Sequence, residues 1–340
     1  MTLQQLCSAL RASRGFVHKR DIGGVVGALA ASVAIKAPGI GAAVPVGDDC
    51  AAIPLSDAQG GEGYLLLAIE GLVEDFIARM PWFAGYCSVM VNVSDIYAMG
   101  GRPIAVVDAL WSTGIDAAQP MLQGMAAAAE RYGVPIVGGH SNNQSLRGQL
   151  AVAILGRAQR LLTSFDARPG DTLLMAVDLR GSYQEPYPYW NASTGAPAHR
   201  LRADLEILPS LAEDGLCDAA KDISMAGVLG TLLMLLECSK VGATVELDHI
   251  PRPDEACGDE AWLRWLSAFP SYGFVLSVRP AQAGEVQRRF AARGLACAPI
   301  GQVQASSRLL LRQGGDEAVL WDTAEAPFIC PAASPEAAHA

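Results

Sequence analysis

The segment VNVSDIYAMGGRP, residues 91–103, decides the fold. It ends an apolar helix that Pro81 opens and Gly100-Gly101 stops. Within that helix Ser88, Asn92, Asp95 and Met99 fall at i, i+4, i+7 and i+11, so they share one face. A solvated helix position is the plain alternative for Asp95, and its apolar neighbours argue against it. Beyond the glycines, Pro103 to Leu110 reads as a strand and Asp116 to Arg131 as a helix closed by Gly133 and Pro135. A strand at Ile136-Val137 then runs into Gly138-Gly139-His140, and another follows over Leu150 to Leu155.

Upstream, the pattern predicts a short helix over Leu3 to Arg11 and a second, Gly/Ala-rich one over Ile22 to Ile35, N-capped by Asp21. A loop over 37–49 ends in Gly47-Asp48-Asp49, and YLLLAI (64–69) is a buried strand. Downstream, Arg168-Pro169-Gly170-Asp171 is a turn that introduces the strand Thr172 to Val177. The remainder holds a Pro/Tyr-rich loop (181–197) and helices over 198–212, 224–240, 260–268 and 281–293. Strands at 244–247, 274–278, 298–303 and 309–311 are interspersed with them. These elements divide the chain into an α+β N-terminal domain (1–160) and an α/β C-terminal domain (161–325), with a frayed Ala/Pro-rich tail (326–340). No internal repeat is present.

With 340 residues, about half of them hydrophobic, the chain can bury a large core. The net charge of −10 and the lack of a long Lys/Arg run exclude a non-specific nucleic-acid binder. No stretch is long and apolar enough to span a bilayer. Eight scattered cysteines with no C-x-x-C pair, and no signal peptide, point to reduced thiols in the cytoplasm.

Five short stretches carry chemistry. They are Gly47-Asp48-Asp49; Glu70 directly after a buried strand; Asn92 and Asp95; Gly138-Gly139-His140; and Lys221-Asp222-Ile223-Ser224 ahead of an apolar helix. Each has an ordinary alternative: Gly-Asp-Asp as a turn, Asp222 or Ser224 as a helix cap, His140 as a structural residue. Taken together they are several carboxylates that would repel one another unless something neutralised them. Hard cations such as Mg²⁺ take oxygen ligands and bridge carboxylates to phosphates, and glycines let phosphates approach the backbone. No Walker A sequence or kinase Gly-rich loop is present, so a nucleotide would be held through metal and not through a P-loop.

The order of these motifs resembles the superfamily of aminoimidazole ribonucleotide (AIR) synthetase, thiamine monophosphate kinase and selenophosphate synthetase. The matching stretches are VGDDCAAI (46–53), AIEGLVEDF (68–76), VNVSDIYAMGGRP (91–103), IVGGHSN (136–142), ARPGDTLL (167–174) and KDISMAGVLGTLLMLLE (221–237). The wording is most similar to an AIR-synthetase-related subgroup without an assigned reaction. The resemblance implies a two-domain fold whose N-terminal sheet pairs with that of a second subunit, making a homodimer, with ATP in the groove beside it. Asp48, Asp49, Asp95, Glu70 and Asp222 would then hold Mg²⁺, with Asp222 also reaching the reacting end of a small-molecule substrate. Gly47, Asn92, Gly138 and Gly139 would line the nucleotide, and His140 would join the catalytic set. It also implies an ATP-dependent activation of an amide, carboxyl or phosphate oxygen. The alternatives are a plain small-molecule kinase or a catalytically silent nucleotide-binding scaffold.

Four departures from the kinase member stand out. That kinase has Asp where Glu70 and His140 stand, Asp-Gly where Met225-Ala226 stand, and an Arg near Ser164. Cys7 and Lys19 are the loose counterparts of the Cys/Lys pair of selenophosphate synthetase. The loop 181–197 is the candidate for substrate specificity, since its aromatics could stack on a ring.

Overall fold

Helix α5 (Pro81–Ala98) is the axis of the N-terminal half, and in the computed structural model 15 of its 18 residues are buried. Residues 1–33, 45–56 and 62–331 are described. The expected helix over 22–35 and the loop over 37–49 are therefore seen only in part, and the tail beyond 331 lies outside the described residues. Three helices open the chain: α1 (Leu3–Ala12), α2 (Arg14–Lys19) and α3 (Asp21–Val33). Asp21 is the first residue of α3, not the residue that precedes it.

The N-terminal sheet has the order β1-β2-β5-β3-β4, built from β1 (Ala51–Ser56), β2 (Glu62–Gly71), β3 (Arg102–Trp111), β4 (Ile136–Asn142) and β5 (Gln149–Ala158). All pairs are antiparallel except β3 with β4. Helices α4 (Glu74–Arg79), α5 and α6 (Ile115–Tyr132) cover one face. Helices α5 and α6 approach so closely that glycine is required where they cross. A Cβ on Gly124 would stand 1.9 Å from the Trp82 carbonyl oxygen, and one on Gly85 2.0 Å from that of Met121. The opposite face of the sheet is open. Leu67, Ile69, Ile104, Val107, Val137 and Leu155 are exposed on its strands.

The C-terminal half holds a seven-stranded sheet of order β15-β14-β10-β13-β6-β12-β9. Its strands are β6 (Thr172–Val177), β9 (Ala219–Asp222), β10 (Gly242–Glu246), β12 (Gly273–Val278), β13 (Ala296–Gln304), β14 (Arg308–Gln313) and β15 (Asp316–Asp322). The predicted helix over 198–212 is two helices, α7 (Ala198–Leu205) and α8 (Ile207–Glu213). Helices α9 (Gly227–Ser239), α10 (Asp259–Leu266) and α11 (Pro280–Ala291) complete this half. The Pro/Tyr-rich loop is not irregular. It contains a hairpin, β7 (Ser182–Tyr183) and β8 (Tyr189–Asn191), and β8 pairs with the short strand β11 (Phe269–Pro270).

Two expected boundaries shift. The first helices belong to the C-terminal half: Leu3, Leu6, Cys7, Leu10 and Phe16 share a core with α9, β10 and β14. The expected frayed tail is docked as far as Pro331. Phe328 and Ile329 are buried, and the Glu237 carboxylate accepts the backbone N–H groups of Phe328 (2.7 Å), Ile329 (2.7 Å) and Cys330 (3.1 Å). Glu237→Gln turns one acceptor oxygen into a donor facing those N–H groups. The expected cost is about 2–3 kcal/mol in urea denaturation, with faster carboxypeptidase trimming of the C-terminus.

Candidate functional site

A cleft of about 330 Å³ opens between the two halves, walled by β2, α5, the loop 46–49, β9 with Ser224-Met225, and the β8 hairpin. Its floor at one end is acidic. Carboxylate oxygens of Asp49, Asp95 and Asp222 lie within 4.8 Å of one another. Three different elements deliver them. Asp95 comes from the last turn of α5, Asp222 from the last position of β9, and Asp49 from the turn after Gly47, whose φ is +136°. Strand alternation puts Glu70 on the face of β2 that carries buried Leu66 and Ala68, and it joins the cleft wall.

Burial makes this cluster costly. It pushes the Asp222 carboxyl up to about 8, with Asp49 adding repulsion. Asp95 is driven well above the usual carboxylate range, first by burial and then by Asp222, Glu70 and Asp49. Two oxygens, Oδ2 of Asp49 and Oδ2 of Asp95, are buried with no hydrogen-bond partner among the described residues. Acceptor-only oxygens converging without a donor fit a hard divalent cation.

Asp48 lies at the cleft and is held there by protein donors. Its side chain is wholly shielded and already engaged. Oδ1 accepts from Ser164 Oγ (2.7 Å) and Asp49 N (3.0 Å), and Oδ2 accepts from Ser164 N (2.7 Å). Lys221 Nζ stands 3.8 Å from Oδ1 and pairs directly with Asp49. Asp48 therefore organises the loop, and it also lines the cleft beside Asp49. Burial holds its carboxyl up near 6 despite the Lys221 charge. Asn92 is buried on α5, and among the described residues its Oδ1 has no hydrogen-bond partner. Its amide donates to the carbonyls of Ser88 (2.8 Å) and Val152 (3.0 Å), pinning α5 to β5. Gly47 does line the cleft.

Gly138, Gly139 and His140 are not brought to the carboxylates within the chain. Cross-strand register runs Glu70–Val152–Asp108–Gly139, so Gly139 lies three strands from Glu70, roughly 14 Å away. Alternation turns Gly138 and His140 to the open face of the sheet, where the His140 ring approaches Trp111 at 6.3 Å. Of the loose Cys/Lys counterparts, Cys7 is fully buried in the C-terminal core, while Lys19 reaches the cleft.

The other end of the cleft is apolar, lined by Phe76, Phe83, Met90, Tyr189, Trp190 and Phe269. The 181–197 segment supplies two of these rings and ties the halves together. Tyr187 donates to Asp75 (2.7 Å), and Ser193 Oγ bonds the hydroxyls of Tyr86 and Tyr132. Three contributors have no role in the motif reading. Lys221 stands there inside a chemistry-bearing stretch with no role of its own, Ser224 as a cap, and Ile329-Cys330 as part of a frayed end. Ser224 Oγ is in fact buried, unpartnered and beside the cleft. For Lys221 the available signal is a lysine beside Asp222 in a short strand whose other two residues are alanines.

Family models described as AIR synthase related protein, N-terminal and C-terminal domains, match residues 47–158 and 172–312. An uncharacterized protein of Synechocystis is 48% identical over 96% of this chain and 98% of its own length. The thiamine-monophosphate kinase of Salmonella typhimurium is 26% identical over 76% of this chain and 84% of its own. Among solved structures, T. maritima PurL complexed with AMPPCP superposes with a TM-score of 0.67 at 18% identity, covering 97% of this chain. The chain spans about half of that PurL, 52% of its length. Motif order, two-domain fold and matched domains agree: the chain belongs to the AIR synthase related family.

Proposed function

We propose that this protein is an ATP- and Mg²⁺-dependent enzyme that activates an oxygen of a small metabolite by phosphoryl transfer. The observation that carries the reading is the Asp49–Asp95–Asp222 trio, with two orphaned carboxylate oxygens on the floor of an interdomain cleft. A kinase among its relatives and a fold neighbour solved with AMPPCP support ATP as the donor. Mg²⁺ at the trio would neutralise phosphate oxygens in a site that is itself acidic. The residues then divide the work. Asp49, Asp95 and Asp222 hold charge-neutralising metal, Glu70 sits at the wall, and the apolar end receives the body of the acceptor and excludes water. An acceptor amide, carboxyl or phosphate oxygen becomes a leaving group once phosphorylated. A plain small-molecule kinase uses the same site and differs only in releasing the phosphorylated acceptor as its product.

The test is Mg²⁺-dependent ADP formation, screened against amides, carboxylic acids and phosphate esters. Acceptor-stimulated ADP release, abolished by Asp222→Asn, is expected. No ADP with any acceptor, from protein that binds ATP, would favour the silent scaffold.

The open sheet face is proposed to pair with a second copy, giving a homodimer. Its exposed Leu67, Ile69, Val107 and Val137 form an apolar patch of the kind that marks an interface. Ile69→Glu is expected to halve the mass measured by light scattering. An unchanged mass would place the interface elsewhere. Eight unpaired cysteines suit the reducing cytoplasm proposed for it. Among the described residues no helix is long and apolar enough to cross a membrane.

A further inference from the structure

We infer that the Lys221 ammonium takes the place of a divalent cation in the acidic cluster, so that each chain has one metal position and not two. The inference rests on the metal reading above and goes beyond it to the number of ions and the residue that sets it.

Lys221 belongs to β9, whose four residues are all buried, and its side chain is only 6% exposed. A lysine is rarely enclosed in this way without a paired charge. Here the pairing is double: Nζ is bonded to Asp49 Oδ1 and stands 3.8 Å from Asp48 Oδ1. The two carboxylates come from adjacent residues of one turn, and without a cation between them they would repel at close range. Three further donors, the Ser164 N–H and hydroxyl and the Asp49 N–H, complete the Asp48 carboxylate. That half of the cluster is therefore closed, neutralised by protein alone.

The other half is open. Among the described residues Asp49 Oδ2 has no hydrogen-bond partner, and Asp95 Oδ2 has none either. Both are buried, and Asp49, Asp95 and Asp222 offer carboxylate oxygens within 4.8 Å of one another. Asp49 is thus shared, one oxygen on an ammonium and the other left for a metal. Lys221 acts as a positioning residue: by holding Oδ1 it fixes the Asp49 carboxylate beside Asp95 and Asp222. A fixed ammonium also has a structural consequence. The Asp48–Asp49 turn keeps its form with or without metal, whereas a cluster built around two ions would come apart when stripped.

The experiment counts bound Mn²⁺ by electron paramagnetic resonance, with metal alone, on wild type, Lys221→Arg and Lys221→Met. One Mn²⁺ per chain is expected on wild type and Lys221→Arg. Two are expected on Lys221→Met, because removing the ammonium opens its place to a second ion. The melting temperature of Lys221→Met should also rise more with Mn²⁺ than that of wild type, since the ion restores the missing charge. If Lys221→Met folds only with Mn²⁺ present, that outcome supports the substitution directly. Two ions on wild type would overturn this inference and leave the metal reading standing. One ion on folded Lys221→Met, with no extra gain in melting temperature, would overturn it as well. No ion on either protein would overturn both readings.

Discussion

Asp95→Asn is expected to raise the melting temperature of the metal-free protein while weakening Mg²⁺-dependent nucleotide binding at least tenfold, about 1.4 kcal/mol. Asp95 is buried on α5 with one oxygen unpartnered and with Asp222, Glu70 and Asp49 around it. At neutral pH an aspartate there either stays charged against its neighbours or takes up a proton that an unfolded aspartate would not hold. Asparagine has the same shape and does neither, so the folded state gains, by about 1–2 kcal/mol. The same change removes a metal-facing carboxylate. A stabilised protein that no longer responds to Mg²⁺ is the signature of a residue kept for chemistry. A lower melting temperature with unchanged Mg²⁺ dependence would instead make Asp95 a structural residue.

Stability without metal is expected to fall as pH rises from 5.5 to 8.5. The Asp222 carboxyl is pushed up to about 8 by burial, above the 3.8 of an ordinary aspartate. Between those values the native chain binds a proton that the unfolded chain does not, so unfolding releases it and a higher pH favours unfolding. The slope is about 1.4 kcal/mol per pH unit for each such proton. Asp48, raised to about 6, acts in the same direction over the lower part of the range, and Asp95 adds to it. Urea denaturation in EDTA across the range reads the slope, and Mn²⁺ should flatten it by pairing the ionised carboxylates. A flat profile in EDTA would mean that the trio is not under the strain its burial implies.

The N-terminal elements were legible because their punctuation is strong. Pro81 opens α5, Gly100-Gly101 closes it, and the 3.6-residue spacing turns Asp95 inward. The acidic members of the site were legible for a related reason. A carboxylate in an apolar helix or at the end of a buried strand is costly to keep unless it meets a cation or a donor, so it marks a site. Asp48 and Asn92 were named, but not their protein partners. Sequence shows their proximity to the motif and not the Ser164, Lys221, Ser88 and Val152 groups that occupy them. The hairpin within 181–197 escaped because Pro and Tyr read as irregular, while its pairing partner Phe269-Pro270 lies some eighty residues on. The docked end at 327–331 depends on Glu237, about ninety residues upstream, and no local pattern reports such a bond. His140 and the two glycines before it mark the opposite limit: a strong local motif whose position three strands away is set by sheet order alone.

A cation-dependent nucleotide site at the Asp49–Asp95–Asp222 trio is the centre of this account, and ATP titration by calorimetry with Mg²⁺ or with EDTA tests it most directly. Binding with Mg²⁺ that disappears in EDTA is the predicted result. Binding of equal strength in both, or none at millimolar ATP, would contradict it.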